Sequence, residues 1–130
     1  MECGKTYLLY DDDDPASKPH LHVVISDPNA SNQIVLVSVT TQRAKSDMMT
    51  PLAAGIHPFI VNASVISYNY SKMMTCDQLQ KLIDTGAAIP KADAREELVR
   101  RAQDGMQETR RAAPEVKECF CEWWATQQTQ

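Results

Sequence analysis

No part of this 130-residue chain is apolar for long enough to cross a bilayer. The longest aliphatic runs are Val23-Val24-Ile25 and Ile34-Val35-Leu36-Val37, whereas a spanning helix needs roughly 18 residues. The opening Met1-Glu2-Cys3-Gly4-Lys5 leads toward four aspartates with no apolar core, so no secretion signal is expected. Excess positive charge is also missing. Thirteen Lys and Arg against 17 Asp and Glu give a net charge of −4; this excludes wholesale coating of nucleic acid, though not a small local RNA site. Split at Thr75, the first part holds five basic and seven acidic residues and the second eight and ten, so neither is a basic arm. Glycine is scarce, at four residues, and the P-loop, dinucleotide and nucleophile-elbow glycine patterns are all absent. A nucleotide-hydrolysing or dinucleotide-dependent enzyme is therefore not expected.

Paired cysteine motifs are lacking too. Cys3, Cys76, Cys119 and Cys121 contain no C-x-x-C, and Cys119-Phe120-Cys121 is too tight for an ordinary zinc half-site. With no secretion signal, the expectation is a reducing cytoplasm and free thiols. The N-x-S triplets at Asn29, Asn62 and Asn69 then carry no glycosylation meaning.

What is present changes texture near Met74. The first part alternates short β-rich runs with turn formers: a strand over residues 5–10, an exposed loop at Asp11-Asp12-Asp13-Asp14-Pro15, and a strand over 20–26. Consecutive carboxylates cannot all face one ion, so a solvated loop is preferred over a metal cage. A turn over residues 27–32 leads to the most aliphatic strand, 33–40, whose composition suggests burial on both faces. Residues 57–61 and 64–68 read as a last strand pair joined tightly at Asn62-Ala63. Five strands without an intervening helix predict an antiparallel sheet or small barrel.

The second part is helical. Thr75 and Gln78 fit a capping box ahead of Leu79, Leu82 and Ile83, and Gly86 sits at the C′ position. Asp93 and Glu96 mark a second helix start, carried by Leu98, Val99, Ala102 and Met106 to Ala113 before Pro114. A third helix, from Glu115 to about Thr126, places Val116, Cys119, Phe120, Trp123 and Trp124 on one side. Phe120, Trp123 and Trp124 are core or interface anchors on this reading. The expected class is α+β: a small antiparallel β-barrel followed by a helical C-terminal region. Residues 1–74 form the barrel, and residues 75–130 pack on or beside it, with one compact unit as the other arrangement.

Three groups of residues could carry chemistry. His20 and His22, at strand period two, point to one face, where imidazoles can exchange protons near pH 7 or chelate a metal. His57 would be the third ligand of such a metal site. Two partly exposed structural histidines is the plainer reading. Thr40-Thr41-Gln42-Arg43 closes the aliphatic strand; its hydroxyls either satisfy a turn or bind phosphate, with Arg43 and Lys45 as a cationic rim.

The order of these pieces carries a resemblance. Pro19-His20-Leu21-His22-Val23-Val24-Ile25-Ser26, followed by Val35-Leu36-Val37-Ser38-Val39-Thr40-Thr41-Gln42, resembles the MazF/PemK family over residues 5–70. Those proteins are small ribosome-independent RNA-cleaving toxins of toxin–antitoxin systems, built on an SH3-like barrel. The closest matches are Val24-Ile25-Ser26 and Thr40-Thr41-Gln42. His20 stands where the family carries its catalytic arginine, and Leu21 where it carries proline. Histidine loses the permanent charge and bidentate fork of arginine. The replacement either moves the mechanism toward imidazole acid–base catalysis or marks a non-cleaving relative.

The resemblance thus implies a cytoplasmic, homodimeric, metal-independent endoribonuclease without cofactor. It would cleave single-stranded RNA by attack of the ribose 2′-hydroxyl and be restrained by an antitoxin protein. His20 and Thr40 would be catalytic, with His22, Thr41 and Arg43 binding substrate. The alternative from another class is a catalytically silent barrel that binds a protein through its C-terminal helices, using Phe120, Trp123 and Trp124.

Overall fold

The computed structural model describes residues 1–10 and 18–128; the expected acidic loop at residues 11–15 lies outside them. Along the chain come β1 (Thr6–Leu9), β2 (His20–Val24), β3 (Gln33–Thr41), β4 (Pro51–Leu52), β5 (Ser64–Thr75), α1 (Cys76–Asp84), β6 (Ile89–Lys91), α2 (Glu96–Glu108) and α3 (Pro114–Gln128). The architecture is α+β, a six-stranded antiparallel half-barrel sheet with three helices in the C-terminal part. Its strand order is β4-β5-β3-β2-β1-β6.

β3 is aliphatic without a break from Ile34 to Val37 because both its faces are covered. Val35, Val37 and Val39 join Leu21 and Val23 of β2 against Leu98, Ala102 and Met106 of α2 and Val116 and Phe120 of α3. On the reverse face, Ile34 and Leu36 pack with Tyr7, Leu9, Val24 and Leu79 of α1. A strand enclosed this way cannot alternate apolar and polar residues.

β5 runs well past the expected Tyr68. Its first part pairs Ser67 with Ser38 and its second pairs Lys72 with Leu36, so residues 68–71 bulge out beside Val37. Extra residues on one strand bend and twist the sheet there. Inside this bulge Tyr68 is fully buried. Its hydroxyl shares a hydrogen bond with Thr50 Oγ1 (2.6 Å) and donates to the Ala102 carbonyl (3.1 Å). Gly105 of α2 permits this approach, since a Cβ there would overlap both hydroxyl oxygens.

α1 starts and stops as its caps dictate. Thr75 Oγ1 accepts from the Gln78 N–H (3.1 Å), and Gln78 Oε1 accepts from the Thr75 N–H (2.8 Å). After the helix, Gly86 takes φ +80°, a left-handed conformation suited to glycine. α3 begins at Pro114, where a missing N–H costs nothing.

Four local expectations are corrected. Residues 57–61 form a turn rather than a strand, with the Ile60 N–H donating to the His57 carbonyl (2.9 Å). The edge position goes instead to β4, where Pro51 pairs with Val65 and Leu52 with Ser64. β6 arises within the stretch read as helical and pairs with β1, Leu8 opposite Ile89. α2 ends at Glu108, not Ala113, because Thr109 turns extended (φ −65°, ψ 146°) and its hydroxyl takes the Arg111 N–H. Finally, Asp93 does not cap α2; it pairs with Lys5 across 3.3 Å at the surface.

Candidate functional site

β2 begins, and β3 ends, at the same end of the sheet. Leu21 pairs with Val39 and His22 with Ser38, so one further step along the ladder sets His20 opposite Thr40. Opposed residues on adjacent strands share a face. Beyond Thr41 the chain is tied down at once: the Gln42 N–H donates to the Ala63 carbonyl (2.9 Å) and the Arg43 N–H to Ser46 Oγ (2.7 Å).

A cleft of about 250 Å³ opens at this end. Lys18, His20, Thr40, Thr41 and Arg43 line it together with Phe59 and Asn62, on the segment that leads into β5, and Ser64, the first residue of β5, whose hydroxyl donates to the Asn62 carbonyl (2.9 Å). The described lining contains two permanent cations, one imidazole, three hydroxyls and no carboxylate. In a chain of net charge −4, this is a local concentration of anion-binding groups. His20 and Thr40 are partly buried, whereas Thr41 and Arg43 reach solvent. Lys45 is exposed but outside the lining. No family model and no curated protein matches this chain.

The remaining candidates lie elsewhere. His22 is fully buried and does not line the cleft, which corrects its assignment to substrate. Its Nδ1 is 2.9 Å from the His20 carbonyl and must carry the proton, because a carbonyl only accepts. Nε2 then accepts from Lys72 Nζ at 3.2 Å. His20, at the strand end, lines the cleft; two residues further in, the same face is covered.

His57 is also buried. Its Nδ1 accepts from the Phe59 N–H (3.0 Å), so Nε2 is the donor to the Ala92 carbonyl (2.6 Å). It is a turn clamp and shares no site with His20 and His22. Among the described residues no group of three or more His, Cys, Asp or Glu side chains is placed to hold a metal.

Phe120 is fully buried, so it contributes core and not interaction surface. Trp123 and Trp124 are partly buried around it, with Phe120 and Trp124 stacked at 5.9 Å and 21°. Trp123 borders a groove of about 500 Å³ shared with the turn at residues 27–31. The four cysteines are free. Burial, reinforced by the Asp27 carboxylate, pushes the Cys3 thiol up to about 12, and burial raises Cys119. Neither is poised as a thiolate nucleophile.

Phe59, Lys18, Asn62 and Ser64 are cleft residues that sequence reasoning did not single out. Phe59 was hidden by the apolar look of residues 57–61, whose proline was the available warning of a turn.

Proposed function

We propose that this protein is a MazF/PemK-like endoribonuclease on an SH3-like barrel that cleaves single-stranded RNA without a metal. The observation that carries the reading is the shared cleft of His20, Thr40, Thr41 and Arg43, whose described lining holds two permanent cations and no carboxylate in a net-acidic chain. Phosphodiester cleavage needs a base for the ribose 2′-hydroxyl, donors for the phosphoryl oxygens and a proton for the departing 5′-oxygen. His20 takes the 2′-hydroxyl proton as that oxygen bonds to phosphorus. The Thr40 and Thr41 hydroxyls and the Arg43 guanidinium hold the phosphorane. The P–O5′ bond then breaks, and the His20 imidazolium returns its proton to the 5′-oxygen, leaving a 2′,3′-cyclic phosphate. Arg43 replaces, from the loop after β3, the permanent charge that the family places at the position of His20.

Cytoplasmic action, homodimerisation and restraint by an antitoxin rest on the family resemblance. No helix among the described residues is long and apolar enough to cross a membrane. The groove beside Trp123 favours the second reading, a silent barrel that binds a protein partner.

The deciding experiment incubates purified protein with long unstructured RNA, with and without EDTA, beside His20→Ala. The expected result is EDTA-resistant cleavage giving cyclic-phosphate ends, reduced about 10²–10⁴-fold in the variant. Equal cleavage by the variant would remove His20 from the mechanism. No turnover by the wild type would leave the binding-module reading.

A further inference from the structure

Building on the RNA reading, we infer that Phe59 is the platform on which an unpaired base of the substrate stacks, at the mouth of the His20–Thr40 cleft. Large apolar rings are ordinarily covered, yet Phe59 is 45% exposed and lines the cleft.

Its surroundings fix the backbone that presents the ring. The Phe59 N–H is held by His57 Nδ1 (3.0 Å), and the Gly55 N–H closes the turn on the Ile60 carbonyl (2.7 Å). His57 is anchored in turn on the Ala92 carbonyl (2.6 Å), which also accepts from Thr6 Oγ1 (2.6 Å). His57 is thereby a positioning residue for Phe59. A presented aromatic on a clamped turn loses little conformational freedom when a ligand binds.

Charge identifies the occupant. Lys91 Nζ stands over the Phe59 ring, 5.9 Å from its centre, Lys18 and Arg43 line the cleft with Phe59, and no described lining residue is acidic. A planar ring beside cations matches the chemistry of a single-stranded nucleotide, with the base on the ring and the phosphate on the cations.

The test measures binding by fluorescence anisotropy with a short unstructured 2′-O-methyl RNA, which lacks the attacking hydroxyl, and with its fully abasic counterpart. Phe59→Leu should weaken binding of the base-bearing RNA roughly tenfold and leave abasic binding unchanged, while Phe59→Tyr keeps wild-type affinity for both. Wild-type affinity of Phe59→Leu for the base-bearing RNA would overturn the stacking role and leave the RNA reading standing. Equal loss on both oligomers would overturn it likewise. A wild type that binds neither would overturn the RNA reading and this inference together.

Discussion

The junction around Tyr68 and the cleft around His20 use the same kinds of group, hydroxyls and a ring, toward opposite ends. At the junction, Tyr68, Thr50 and the Ala102 carbonyl satisfy one another in a space too tight for a Cβ at Gly105. In the cleft, Thr40 and Thr41 border about 250 Å³ of open space. Polar groups buried and paired define one packing arrangement. Polar groups left facing a cavity are available to a ligand. Substitutions should therefore affect stability at the first region and chemistry at the second.

Gly105→Ala should give the largest stability change. In an exposed helix this replacement stabilises by about 1 kcal/mol; here overpacking against Tyr68 and Thr50 should reverse the sign and cost about 1–3 kcal/mol. Urea unfolding would read the change, and a stabilised variant would refute the tight junction. His20→Ala supplies the opposite test, since its unfolding midpoint should move less than that of Gly105→Ala while cleavage falls.

Alkaline titration sharpens the comparison further. Tyr68 is pushed up to about 12 from 10.0 and Cys3 to about 12 from 9.0, both chiefly by burial. Each is held protonated in the fold, so the unfolded chain releases these protons first as pH rises. Stability should be full below about pH 9 and decline from there toward pH 12. Tyr68→Phe should cost about 1 kcal/mol at pH 8 and flatten part of that decline, as read from urea midpoints at pH 8 and pH 11. The smallest effect belongs to Arg100 and Glu96, paired at 3.0 Å but largely exposed. Arg100→Ala should change stability by less than about 0.5 kcal/mol, and a larger loss would mean that the surface carries more of the stability than the junction comparison allows.

The parts of the fold legible in the sequence were those set by local rules. The unbroken aliphatic run of β3 reported burial on both faces, and the Thr75–Gln78 box and Gly86 bounded α1 from within their own segment. Elements defined by distant partners were illegible. β6 is three residues long, contains Pro90 and exists because β1 lies beside it. The β5 bulge depends on Tyr68 meeting Gly105, far along the chain. The site divides in the same way. The meeting of His20 with Thr40 follows from strand period and antiparallel order, whereas the burial of His22 depends on what covers its face. Phe59 became visible only once residues 57–61 were seen to turn around His57.

Both outer strands of the sheet contain proline, Pro51 in β4 and Pro90 in β6, and both are too short to template a long ladder. An arriving β-segment would find little backbone to zip against on the β6 flank, whereas on the other side β4 pairs only with Ser64 and Val65 of the twelve-residue β5. A copy arriving at the β6 flank must therefore meet this chain through side chains, which keeps pairing there selective.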